Sequence, residues 1–242
     1  MKDRPIDLSG ELSRRGWPAW VWSTTRQEQY ITAQIRGRID PDVDPILARL
    51  VVEALLDGVS QEDKDRLVGM PLWGYEPGTS PGPDLALIDD CDRVLAVIEH
   101  KIFAAANAQP YVRFDEYLQF TDPLALSLPP RPGSGEVLQP SPWLAGHTGW
   151  HLWQIDYYRC NRSWLRNPLM LDDAGSAVWL LLDWGGRQAA TVFPGSHTAH
   201  VWQTTGYYGF VRQLLTAYDQ CEAEGAADVA DQLKDLIRMA LS

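Results

Sequence analysis

The sequence predicts an α/β protein, with a mixed central β-sheet flanked by helices. Three observations carry this reading. Two short Val- and Ile-rich runs, 84–89 and 94–102, are separated by the polar Asp90-Cys91-Asp92-Arg93, the pattern of a strand hairpin. A further apolar run, Ala177 to Trp184, has the length and composition of a buried strand. Helical periodicity lies on either side of these runs, over 25–57 and again over 207–241. With 242 residues, 45% hydrophobic and 22% charged, the chain is expected to form one domain, 1–242, with a sizeable core.

The elements follow in order. Thr25-Arg26-Gln27-Glu28 has the form of a capping box and starts a helix with Ile31 and Ile35 on one face. Pro41 and Pro45 break it, a second helical piece holds Ile46 to Leu56, and Asp57-Gly58 ends that piece. A charged stretch leads to Pro71–Tyr75, a weak strand, and then to the turn-rich Glu76–Gly82 and the hairpin. Asn107 to Gln119 reads as a helix with Pro110 in its first turn. Residues 121–149, with six prolines and four glycines, read as a Pro-rich loop or insertion. After the 177–184 strand, Gly185-Gly186 would turn the chain into a partner strand at 189–193. Two C-terminal helices close the chain. The first carries Phe210, Val211, Leu214, Leu215 and Tyr218 and stops at Gly225; the second carries Val229, Leu233, Leu236 and Ile237.

Composition excludes several classes. No apolar run approaches the roughly 18 residues of a membrane helix, so no membrane association is expected. Met1 to Gly10 lacks the apolar stretch of a secretory signal. Cys91, Cys160 and Cys221 are odd in number and far apart, which argues against a disulfide scaffold and for a cytoplasmic location. A net charge of −11 argues against indiscriminate binding to nucleic acid. The acidic excess peaks at 41–101, where five Lys or Arg face thirteen Asp or Glu.

The hairpin lies in that acidic region. If its strands pair around a loop at 90–93, paired positions sum to 183: Asp84 sits opposite Glu99, Ala86 opposite Val97 and Ile88 opposite Leu95. Alternation then puts Asp84, Glu99 and Lys101 on one face. Opposed Cβ atoms lie about 4.5–5.5 Å apart, where like charges are destabilising. Lys101 supplies one compensating charge, and a divalent cation such as Mg²⁺, which favours carboxylate, water and phosphate oxygens, would supply more. A solvated salt bridge at a sheet edge satisfies the same spacing.

The whole string, Pro83-Asp84, then LALIDD, then VLAVIEHKI with Glu99-His100-Lys101, resembles the PD-(D/E)XK nuclease superfamily. In many of its members a strand ending in Ile-Glu-x-Lys-Ile is followed by small residues and a helix carrying Gln and Tyr; here FAAANAQPYVRFDEY offers Gln109 and Tyr117. The resemblance covers residues 83–117, and the order of elements is similar to that superfamily's αβββαβ restriction-endonuclease-like core. It implies a metal-dependent phosphodiesterase acting on nucleic acid, with DNA favoured. Asp84, Glu99 and the His100 backbone carbonyl would hold Mg²⁺, with Mn²⁺ able to substitute. Lys101 would orient the attacking water or neutralise the phosphate. Glu28, on the face of Ile31 and Ile35, is a further candidate acid, although the capping box accounts for a Glu there equally well. Gln109 completes the catalytic set. A role in bacterial defence or on a mobile element, and gating by a protein partner or by homo-oligomerisation, are further implications.

Other motifs carry less. His147-x₃-His151 and His197-x₂-His200 invite a zinc reading, but no Cys lies nearby and His147 sits in a proline-rich stretch. Ser196-His197 lacks the Gly-x-Ser-x-Gly elbow. Trp17, Trp20 and Trp22 near Arg14 and Arg15, and Tyr157, Tyr158, Arg159, Arg162, Trp164 and Arg166, could stack bases and meet phosphates; core aromatics with a cationic rim are the favoured reading. The rival to the nuclease is a catalytically silent nucleic-acid- or protein-binding module on the same scaffold.

Overall fold

The computed structural model describes residues 10–22, 27–77, 82–101, 111–113, 151–160, 164–165, 171, 176–193, 196 and 198–242. Four helices come first: α1 (Glu11–Arg15), α2 (Gln27–Arg36), α3 (Pro45–Leu55) and α4 (Gln61–Val68). Asp44 caps α3, accepting from the Ile46 and Leu47 N–H groups, with Pro45 at the first helical position. The charged stretch after Gly58 is helical: the Ser60 hydroxyl accepts from the Asp63 N–H and starts α4.

Strands β1 (Trp73–Tyr75), β2 (Leu85–Ile88) and β3 (Val94–Lys101) form an antiparallel meander. Then β6 (Val178–Asp183) and β7 (Trp202–Gly206) add parallel to β3, giving the order β1-β2-β3-β6-β7. Between β3 and β6 lie β4 (Tyr111–Arg113), β5 (His151–Trp153) and α5 (Gln154–Cys160); β4 and β5 pair with each other in a second, two-stranded sheet. A short helix, α6 (Ala189–Val192), precedes β7, and α7 (Tyr207–Glu224) and α8 (Ala227–Leu241) end the chain. The protein is thus mixed α/β, a five-stranded mixed sheet flanked by helices.

Alternation in the strands divides the core between the two faces. Leu85, Leu87, Ile98, Leu180 and Leu182 pack with Ile31 and Ile35 of α2, Val51 and Leu55 of α3, and the apolar faces of α7 and α8. Ala86, Val97, Trp179 and Leu181 face the other way, toward Ile155 and Tyr158 of α5, Trp164 and Phe193.

Three expectations need correction. The hairpin register sums to 183 at Leu85↔Ile98, Ala86↔Val97 and Leu87↔Ala96, but a bulge after Leu87 pairs Ile88 with Val94, not Leu95. The Asp89 carboxylate gathers the Cys91 and Arg93 N–H groups there and draws the turn tight. Residues 189–193 do not form a partner strand. The Asp183 carboxylate instead accepts from the Gly185 and Arg187 N–H groups and binds the Arg187 guanidinium, which turns the chain out of the sheet and into α6. Within the expected helix 107–119, Tyr111–Arg113 is a strand, and its β-branched and aromatic residues suit that pairing. Gln109, Tyr117 and the 121–149 segment lie outside the described residues.

Strand β7 is held by polar side chains rather than by an apolar run. The Thr205 hydroxyl donates to Leu55 O (2.7 Å) and accepts from the Gly58 N–H (3.0 Å), while Gln203 accepts from the Ser60 N–H (2.6 Å). This close approach needs a glycine at 58, because a Cβ there would lie 2.0 Å from Thr204 O. Gly58→Ala is therefore expected to cost at least about 2 kcal/mol, measured as a lower denaturant midpoint at unchanged slope.

Candidate active site

Two apolar strands carry the site. Leu85 to Leu87 and Ala96 to Ile98 are fully enclosed between the helical layers, and burying them fixes which residues stand at the strand ends. Continuing the same pairing by one step puts Asp84, immediately before β2, opposite Glu99. The structure brings them together as the sequence predicts: Asp84 Oδ2 accepts from the His100 N–H at 2.7 Å, and the Lys101 ammonium donates to Glu99 Oε1. Glu99, His100 and Lys101 are all buried.

Burial makes these charges costly. Desolvation, and then the charge of Asp84, push the Glu99 carboxyl up to about 8 against the pull of Lys101. Desolvation also raises Asp84, opposed by Lys101 and by the His100 N–H. For Lys101 burial works the other way, but Glu99 and Asp84 outweigh it and hold the ammonium charged. Glu99 Oε2 is buried with no hydrogen-bond partner among the described residues. Among the described residues, one ammonium thus faces two carboxylates, and the Glu99 carboxyl also interacts with the Asp84 carboxyl and the Tyr158 hydroxyl. A small divalent cation suits this donor set: it would replace the proton on Glu99.

Helix α2 closes one side. Glu28 is half-buried near its start, and its charge acts on Glu99 and Lys101. Thr25 and Arg26 lie outside the described residues, and the helix begins at Gln27. The Thr32 hydroxyl donates to the Glu28 carbonyl (3.0 Å) and lies 2.7 Å from His100 Nδ1. This contact ties α2 to β3 whichever ring nitrogen carries the proton. Burial, and then Lys101, depress this imidazole to about 3, and it stays neutral. His100 therefore contributes its backbone and a strut to α2, and its ring is no general base at neutral pH.

On the opposite face, sequence reasoning missed Gln154 and gave Tyr158 only a possible stacking role. The Tyr158 ring is buried in α5, and its hydroxyl is pushed well up by burial and then by the charges of Glu99 and Asp84. Gln154 Nε2, one helical turn earlier, donates to that hydroxyl at 3.3 Å. Their i, i+4 spacing was the available signal. It was hidden because Gln109 and Tyr117 stand closer to the Glu99-x-Lys101 run in sequence.

The weaker candidates resolve into structure where they are described. Tyr158 and Trp164 are core residues, and Arg159 lies over the Trp179 ring at 4.7 Å. Trp17 packs edge-on against Tyr218 at 4.8 Å, beside the Arg15–Asp219 ion pair. The Ser196 hydroxyl donates to Asp156 (2.7 Å) and accepts from the Ala199 N–H (3.1 Å) in a buried network with Thr198. His147 and His197 lie outside the described residues, and His200 is exposed. Among the described residues, Asp89, Asp90 and Cys91 bring three ligand-type atoms within 4.8 Å of one another. Asp89 is already taken there by Arg93 and by the turn. No helix among these residues is long and apolar enough to cross a membrane.

No family profile, no curated protein and no solved structure matches the chain.

The raised Glu99 value has a consequence for stability. The unfolded chain releases this proton near 4.5 while the metal-free fold keeps it to about 8, so stability falls as pH rises through that window. The melting temperature without metal is expected to drop by several degrees between pH 5 and pH 8. Glu99→Gln should flatten the drop, and Mn²⁺ should raise the melt more at pH 8 than at pH 5; calorimetric scans across pH read all three.

Proposed function

We propose that this chain is a metal-dependent nuclease that hydrolyses phosphodiester bonds in nucleic acid, with DNA the favoured substrate. One observation carries the reading: two carboxylates and an ammonium, Asp84, Glu99 and Lys101, meet at the end of paired strands, buried from water. The arrangement fits what resemblance to the PD-(D/E)XK superfamily implies. The order α2, β1, β2, β3, α5, β6 accommodates an αβββαβ core, with α3 and α4 as additions. Gln154 and Tyr158 of α5 fill the places of the Gln and Tyr of that resemblance, in preference to Gln109 and Tyr117.

Asp84, Glu99 and the His100 carbonyl would hold Mg²⁺ or Mn²⁺. A divalent cation held there supplies a Lewis acid that makes water a competent nucleophile and offsets charge on the phosphate. Lys101, kept charged by its neighbours, positions that water or meets the phosphate oxygen as charge grows on it. Tyr158 keeps its proton and holds it beside the Glu99 carboxylate. Glu28 supplies a further carboxylate from α2, and Thr32 fixes the turn from which it extends.

The test is cleavage of supercoiled plasmid, linear duplex and single-stranded circular DNA with Mg²⁺ or Mn²⁺, against a chelator control. Asp84→Asn, Glu99→Gln and Lys101→Met should each slow cleavage by roughly 100-fold or more. Asp90→Asn at the hairpin turn should cut like the unaltered chain. No metal-dependent cleavage, or equal cleavage by all variants, would overturn the proposal and leave the silent binding module as its successor.

A further inference from the structure

Lys101 and Asp183 pair across the parallel strands β3 and β6, and their side chains leave the same face of the sheet. Trp179 and Leu181 pack with Val97 in the layer of α5, so alternation sends Asp183, like Glu99 and Lys101, to that face. Neighbouring strands lie about 4.8 Å apart, which roots Asp183 beside the proposed metal-binding cluster. Both residues end their strands at the carboxyl end, where ligands of parallel sheets gather.

The turn after β6 folds over this same face. Asp183 Oδ2 accepts from the Gly185 N–H at 3.0 Å and the Arg187 N–H at 2.9 Å, and Ala189 and Phe193 beyond it join the core on the α5 side. These two N–H groups shape the turn by themselves. The Arg187 guanidinium is added to them: Nη2 donates to Asp183 Oδ1 at 2.6 Å, and Nε reaches the two oxygens at 3.2 and 3.1 Å. One edge of the planar fork is thus held by a carboxylate, and none of these bonds uses Nη1. The carboxylate is fully enclosed, whereas the arginine side chain is 40% exposed. The result is a cation of fixed orientation, half out of the protein, on the face and at the strand end that carry Glu99 and Lys101.

Resting on the nuclease reading, we propose that Arg187 is the backbone clamp of the site: Asp183 holds the guanidinium so that its outer edge takes a phosphate of the nucleic-acid strand near the one being cut. The chemistry of the site asks for such a group. Asp84, Glu99 and the half-buried Glu28 repel a polyanion, and Lys101, enclosed at 7% exposure, is too deep to draw one in. With a net charge of −11 the chain offers no general attraction either, so a placed cation must do that work. A guanidinium fits the task better than an ammonium, because its planar fork binds two phosphate oxygens at once. Gly185, exposed and without a side chain, leaves room beside it for the sugar–phosphate chain. A phosphate contact positions the strand without reading its sequence.

Fluorescence anisotropy with labelled dT15 and a labelled hairpin duplex, over a salt series in EDTA and again in Ca²⁺, tests this. Arg187→Gln should weaken binding roughly tenfold and lower the slope of log affinity against log salt by about one. Arg187→Lys should keep the slope and bind roughly threefold or more weaker, since it keeps the charge and loses the fork. A residue that serves only the turn would lower the melting temperature and leave the slope alone. If Arg187→Gln does not fold, the Arg187→Lys affinity decides, and an unchanged value overturns the clamp. No binding of either probe, or the same slope and affinity in Arg187→Gln as in the unaltered chain, would also overturn it. Cleavage in Mg²⁺, where Arg187→Gln should raise KM more than it lowers kcat, keeps the two claims apart. An Arg187-dependent slope without any cleavage ends the nuclease reading alone, and cleavage with slope and KM unchanged in Arg187→Gln ends the clamp alone.

Discussion

Packing of the β2–β3 ladder forces like charges together, and the rest of the site is built around that conflict. Ala86 and Val97, Leu85 and Ile98, are paired and buried, and slipping the register by one residue would turn these side chains out of the core. The apolar register therefore sets where Asp84 and Glu99 stand. Among the described residues the two carboxyl groups have one ammonium between them, and burial beside Asp84 raises the Glu99 carboxyl to about 8. A cation held by both carboxylates, as proposed above, would take over the work of that proton and link folding, pH and metal binding in one equilibrium.

The two helical layers are tied to this strand end by different means. On one side the Thr32 hydroxyl connects the Glu28 carbonyl to the His100 ring, so the helix that carries Glu28 is docked to the strand that carries Glu99. On the other side α5 brings Tyr158 up to the same carboxylates while Ile155 anchors it in the core. At the third edge, the turn made by Asp183 and Gly186 sets Trp184 against Tyr207. Each contact uses polar or aromatic groups, and each lies at this end of the sheet.

Much of this was legible because strand periodicity and burial agree. The sum rule for the hairpin, the β6 strand and the two C-terminal helices follow from apolar spacing alone, and the structure places Asp84, Glu99 and Lys101 where that spacing puts them. What could not be read depended on single side chains acting over long range. Strand β7, Trp-Gln-Thr-Thr-Gly, has no apolar alternation; it is a strand because Gln203 and Thr205 find partners at 55–60, about 150 residues away in sequence. Gly185-Gly186 reads as a hairpin turn until Asp183 is seen collecting its N–H groups. Helix α4 was passed over because its one buried residue is Leu67, too little for periodicity to register. Gln154 and Tyr158 illustrate the same limit within the site, since only the fold shows that a helix far along the chain returns to the hairpin.

Calorimetric titration of Mn²⁺ into the metal-free chain near pH 7, with buffers of different ionisation enthalpy to count protons released, measures the central claim directly. The account predicts saturable binding that releases a proton, weakens at least tenfold in Asp84→Asn and in Glu99→Gln, and is unchanged in Asp90→Asn. Absence of binding, or binding that survives both substitutions with its affinity intact, would contradict it.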